Sequence, residues 1–265
     1  MEKSKRDALT KRILSSLLIV PLTLLAIYLG MPYFNLFVLF LGCLLIWEWT
    51  QMLPTSKKNL FASIYAFALG ASVWLLHIFA VPLAIVLASA LAVSKSKGEK
   101  HRAFLILGAP YISIGLGAFA WLYSIGGLEC VLWFVLTVWS VDIGGYVVGT
   151  SVKGPKLAPK ISPNKTWSGL LGGMLLATLV TWAYVFAFDI QPYWQTALIA
   201  AAPVVAVIAQ IGDLIESYMK RTLNLKDSSN LIPGHGGIFD RIDGLVFAAP
   251  FVLIFVILLF NFQMS

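Results

Sequence analysis

Two stretches of the chain concentrate the residues able to do chemistry. The first, from Gly212 to Asp243, reads GDLIESYMKRTLNLKDSSNLIPGHGGIFDRID. Asp213, Glu216 and Ser217 stand at i, i+3 and i+4, which puts them on one helical face. Asp240 and Asp243 share a face in the same way if the next helix begins before them. Two helices from opposite sides of one loop would then bring three carboxylates together. Carboxylates alone suit a hard cation such as Mg²⁺, which keeps waters and takes substrate phosphate oxygens. Lys220, Arg221, Lys226 and Arg241 are interleaved among these acids. A metal ringed by cations is what phosphoryl-group chemistry needs, because phosphates must be neutralised, aligned and stabilised as they leave. Within the stretch, Pro233-Gly234-His235-Gly236-Gly237 forms a turn whose backbone amides can approach a ligand closely while presenting one imidazole.

The second stretch, residues 149–169, reads GTSVKGPKLAPKISPNKTWSG. Lys153, Lys156, Lys160 and Lys165 are spaced by Pro155, Pro159 and Pro163, so an ordered basic loop is expected. Ser162 or Asn164 is placed to cap a helix starting near Thr166, with amide donors aimed at an anion. Gly145 with Gly149, and Gly169 with Gly173, have the spacing of close helix packing. Asp142 falls inside an apolar run, about 10 Å from its end at 1.5 Å per residue. A carboxylate at that depth is costly and marks a functional position. Glu48, between Trp47 and Trp49, reads as part of an interfacial belt.

The elements that position these residues are membrane helices. Of 265 residues, 59% are apolar and 12% charged, with a mean hydropathy of +0.87. A soluble domain carries about 25% charged residues, so a soluble enzyme, a disordered chain and a collagen-like fibre are excluded. The runs are too long and continuous for an outer-membrane barrel. A crossing needs about 20 apolar residues, and spans are predicted near 13–30, 33–53, 60–76, 78–93, 103–123, 128–149, 167–188, 193–216 and 244–262. The first follows a basic segment but lacks a small-x-small cleavage site and is read as a retained helix. Five Lys/Arg precede the first span, two lie in 54–59, and four lie in each of 94–102, 150–166 and 217–243, which accounts for all 19. With nine spans and a cytosolic N-terminus, every basic residue faces the cytosol. The net charge of +7 is therefore a topology signal, and nucleic acid is not an expected partner. Cys43 and Cys130 lie in apolar stretches without metal-ligand spacing. The expected architecture is an all-α polytopic membrane protein. Residues 1–127 form an N-terminal helical part, and 128–265 a catalytic part with cytosolic loops 150–166 and 217–243.

Ser217-x-x-Lys220-Arg221-x4-Lys226-Asp227 followed by Pro233-Gly234-His235-Gly236-Gly237-x-x-Asp240-Arg241-x-Asp243 resembles the signature of the phosphatidate cytidylyltransferases, or CDP-diacylglycerol synthases. Asp142-x-x-Gly145-Tyr146 and the Lys156–Trp167 segment, with Ser162 and Lys165, are similar to the same family. Where that family commonly has Ser after the last Asp, this chain has Gly244. The resemblance implies a Mg²⁺-dependent integral membrane enzyme, a homodimer, that makes CDP-diacylglycerol and pyrophosphate from CTP and phosphatidate. In that frame Asp213, Asp240 and Asp243 serve the metal. Lys220, Arg221 and Arg241 act at the reacting phosphates, and His235 either donates to the departing pyrophosphate or orients an acid. Lys156, Ser162, Lys165, Ser217, Lys226, Asp227, Gly236 and Gly237 bind substrate. Asp142 binds a second cation or orients a basic residue. The short, bacterial-looking chain points to an inner membrane. The rival reading is an ion-coupled transporter using Asp142. The absence of a convincing internal repeat argues against it.

Overall fold

The structure is a computed structural model that describes residues 17, 19–53, 58–74, 99–229, 231–232 and 236–264. The N-terminal basic tail, the expected span at 78–93 and His235 lie outside the described residues. The chain is mostly helical. Among the described residues, five helices are long and apolar enough to cross a membrane: Tyr33–Met52, Pro110–Ser151, Trp167–Ala187, Pro192–Thr222 and Phe239–Gln263. In chain order the helices are α1 (Ile19–Leu29), α2 (Tyr33–Met52), α3 (Lys58–Trp74), α4 (Glu99–Ser151), α5 (Trp167–Ala187), α6 (Pro192–Thr222) and α7 (Phe239–Met264).

Helix α4 is two limbs. Its apolar part, Pro110–Ser151, has 42 residues and would run about 63 Å if straight, twice the roughly 30 Å hydrocarbon thickness. At Gly127 the backbone leaves the helix with φ 64° and ψ −163°, a left-handed conformation that glycine adopts without steric cost. Phe119 and Phe134 lie on opposite sides of that point, yet their rings meet edge to face at 6.0 Å. Fifteen residues of straight helix would separate them by about 22 Å, so the limbs fold back on each other. The bend falls between the spans expected at 103–123 and 128–149.

The second limb of α4 packs against α5 at its glycines. A Cβ at Gly144 would lie 2.6 Å from the Gly172 carbonyl, and one at Gly169 2.9 Å from the Gly145 carbonyl. The small-residue spacing thus serves close backbone approach, as expected. Helices α6 and α7 cross in the same manner: a Cβ on Gly212 would sit 3.0 Å from the Asp243 carbonyl, and one on Gly244 3.1 Å from the Ala209 carbonyl. The core gathers Phe34, Trp49, Phe119, Trp133, Phe134 and Phe239, all fully buried. Leu171, Leu175, Leu179, Trp182 and Phe186 form an exposed apolar stripe along α5, as on a helix facing hydrocarbon.

The all-α expectation needs one correction. The basic loop contains a two-stranded antiparallel hairpin, β1 (Lys156–Ala158) and β2 (Ser162–Thr166), pairing Lys156 with Thr166 and Ala158 with Ser162. Neither Ser162 nor Asn164 caps the following helix. The N-cap of α5 is Thr166, whose hydroxyl accepts from the Gly169 amide at 3.1 Å.

Candidate active site

The crossing of α6 and α7 decides which carboxylates meet. With no side chain at Gly212 or Gly244, the helices approach closely enough to join the acids beside those glycines. Asp213, Glu216 and Asp243 each offer an oxygen within 4.8 Å of the other two. Glu216 and Asp243 are buried, and Glu216 Oε1 has no hydrogen-bond partner. An orphaned buried carboxylate oxygen costs free energy unless something positive meets it, so this trio fits a hard cation on its own chemistry. Asp213 and Asp243 belong to the expected metal set, and Glu216 completes the observed trio.

Asp240 is engaged otherwise. Its Oδ1 is ion-paired with Lys220, and its Oδ2 accepts from the Gly237 amide at 2.8 Å and the Ser228 amide at 3.1 Å. Lys220 also reaches Glu216 Oε2 at 2.7 Å, so it lies between two carboxylates. It lies in the last turn of α6, where a cation also complements the helix dipole.

A cavity of about 670 Å³ opens beside the trio. Asp142, Lys156, Lys165, Asp213, Asp240, Arg241 and Asp243 line it, which brings seven of the expected site residues to one place. Lys165, carried by β2, is ion-paired with Asp213, so the basic hairpin is fastened to the acidic helix. Ser217 donates to Asp213 Oδ1 at 3.3 Å. Tyr111, on the first limb of α4, donates to the Asp243 carbonyl at 3.3 Å.

The remaining expected residues stand around this centre. Arg221 is exposed; it donates to the Ile161 carbonyl at 3.4 Å and the Leu225 carbonyl at 3.2 Å, which braces the hairpin against the end of α6. Ser162 is half-buried within β2, and Lys226 and Asp227 are exposed on the α6–α7 loop. Gly236 has φ 83°, left-handed backbone for which glycine is suited. Its amide-bearing neighbour Gly237 serves Asp240.

Besides Glu216, two residues were not expected in these roles. Gln210, one turn before Asp213, lines the cavity and has a buried side-chain nitrogen without a partner. Glu48 is not in an interfacial belt. It is completely buried and accepts hydrogen bonds from the Ile238 and Phe239 amides at 2.9 and 2.8 Å. Its signal was available, since an acid inside an apolar span is costly and points to a specific partner.

Comparison with known proteins finds relatives over most of the chain. A phosphatidate cytidylyltransferase of Brucella melitensis is 31% identical over 253 residues, covering 93% of both chains. One of Rickettsia felis is 34% identical over 253 residues, covering 94% of this chain and 92% of its own. One of Rickettsia bellii is 38% identical over 193 residues, covering 70% of this chain and 83% of its own. The model of the Cytidylyltransferase family matches residues 10–259, nearly the whole chain and all of the acidic and basic residues that meet at the α6–α7 crossing, and the chain belongs to that family.

Proposed function

We propose that the chain is a phosphatidate cytidylyltransferase, transferring CMP from CTP to phosphatidate to give CDP-diacylglycerol and pyrophosphate for phospholipid synthesis. The observation that carries this reading is the meeting of Asp142, Asp213, Asp240 and Asp243 with Lys156 and Lys165 of the hairpin in one cavity at the ends of apolar helices. A lipid phosphate and a nucleotide can both reach such a place. The transporter alternative is not favoured, because the relatives that match over most of the chain are cytidylyltransferases.

The phosphatidate phosphate attacks the α-phosphorus of CTP. One P–O bond forms, the bond to the β-phosphate bridge breaks, and pyrophosphate leaves with that electron pair. The nucleophile is already an anion, so positioning and charge neutralisation do most of the work. Asp213, Glu216 and Asp243 would hold Mg²⁺, which supplies neutralisation of the phosphate charge when bound. Lys156 and Lys165 from the hairpin and Arg241 from α7 face the phosphates, and Lys165 exchanges Asp213 for a phosphate oxygen as substrate enters. Lys220 holds Glu216 and Asp240 in place, and the Gln210 amide supplies a further donor. Asp142, which also lines the cavity, orients Lys165 or Arg241.

In this reading nine spans place the N-terminus and the site on the cytosolic side of a bacterial inner membrane. The N-terminal helices up to residue 127 support the catalytic part from 128 onward, and the working unit is a homodimer. The test uses purified protein in detergent with phosphatidate, Mg²⁺ and CTP labelled at the α-phosphate. Label passing into the organic phase, abolished by EDTA and restored by Mg²⁺, is the expected result. Folded protein that transfers no label overturns the reading.

A further inference from the structure

Glu48 lies near the end of α2, far in sequence from every other residue of the site. Its two oxygens meet four donors of the α6–α7 loop and the start of α7. Oε1 accepts from the Ile238 amide at 2.9 Å and from the Ser229 hydroxyl. Oε2 accepts from the Phe239 amide at 2.8 Å and lies 3.4 Å from the Ser228 hydroxyl. That hydroxyl is also 3.1 Å from Asp240 Oδ2, so its single proton is shared between two carboxylates. A Cβ on Gly237 would run into Ser228 Oγ and lie within 2.8 Å of both Glu48 oxygens. The packing around this carboxylate therefore requires glycine at 237.

The first amides of a helix have no partner within it, and the N-terminal end carries partial positive charge. Glu48 satisfies both conditions for α7 from another helix. We infer that Glu48 is a positioning residue, an N-cap supplied by α2 that fixes where α7 begins and so where Asp240 and Asp243 stand. It touches neither substrate nor metal ligand directly and acts through Ser228, Gly237 and the first turn of α7. The inference rests on the cytidylyltransferase reading only for its kinetic consequence.

The experiment compares full-length wild type, Glu48→Gln and Ser229→Ala in detergent. Glu48→Gln keeps the shape but turns one acceptor into a donor facing a backbone amide. In metal-free protein, amides of 236–240 should exchange hydrogen for deuterium about tenfold faster in Glu48→Gln, with α5 unchanged. With Mg²⁺ present, the half-saturating Mg²⁺ concentration should rise about tenfold, as when a residue supporting a metal site is removed. A merely structural role would lower the active fraction and leave that concentration in place. Unchanged local exchange and Mg²⁺ requirement in folded Glu48→Gln overturn the inference. Should Glu48→Gln fail to fold, Ser229→Ala decides: smaller shifts in the same directions support the inference, and none overturns it. If wild type transfers no label, the functional reading fails while the exchange comparison still decides the role of Glu48.

Discussion

Replacing Asp213 with Asn, or Glu216 with Gln, removes one negative charge from the trio while keeping its shape. Each should cut label transfer on the order of 10²-fold, the scale for losing a group that supports transition-state charge, while the protein still elutes as a folded species. Lys220 predicts a different pattern. Its side chain is 12% exposed and lies between carboxylates of 2% and 8% exposure, so Lys220→Met leaves two buried charges uncompensated. Breaking such a pair costs about 3–5 kcal/mol, and thermal unfolding in detergent should move down together with activity. A Lys220→Met protein of normal stability would mean that the lysine serves substrate alone. The helical spacing of Asp213 and Glu216, and the position of Asp243, were readable from the sequence because periodicity assigns faces. Periodicity does not say which neighbour a carboxylate finds, so the capture of Asp240 by Lys220, Ser228 and Gly237 was not readable. That Glu48 needs a partner was readable from an acid in an apolar span, but which partner was hidden by the same limit, with its donors 180 to 191 residues away.

Helix packing supplies a graded test at the scale of elements. A Cβ at Gly144 would press on the Gly172 backbone at 2.6 Å, whereas at Gly145 the nearest atom is 3.6 Å away. Gly144→Val should therefore destabilise by about 1–3 kcal/mol and lower activity, because α4 carries Asp142 and α5 continues the hairpin that carries Lys165. Gly145→Ala should unfold at the wild-type temperature; equal behaviour of the two variants would count against the packing described. The glycine spacing made this interface visible in advance, and the gap between expected spans at 123–128 contained the turn at Gly127. The β-hairpin was not visible. Three prolines among lysines read as loop, and the pairing of Lys156 with Thr166 depends on a turn at Pro159 and Lys160 that no hydrophobic alternation announces.

The topology makes a sharp demand on the whole molecule. Six expected spans separate the N-terminal tail from the basic hairpin, so both must lie on one side. Single cysteines at Ser4 and Asn164, in a chain whose Cys43 and Cys130 are replaced, should react with an impermeant thiol reagent only when the cytosolic face is opened. Labelling from opposite faces would show that an odd number of spans lies between them. The expectation comes from the basic-residue distribution, because a bilayer sorts charge by side, while helix order within the bundle leaves no such record. The contact between Glu48 and α7 also sets an order of events during synthesis. Glu48 enters the membrane with the second expected span, and its donors come only with the α6–α7 loop and the start of α7, so the carboxylate stays unsatisfied until those residues are made. A chain cut short before Ser228 lacks all four of these donors and keeps an unpaired acid in an apolar span, at a cost of several kcal/mol, so α2 reaches its stable packing only after α7 has joined it.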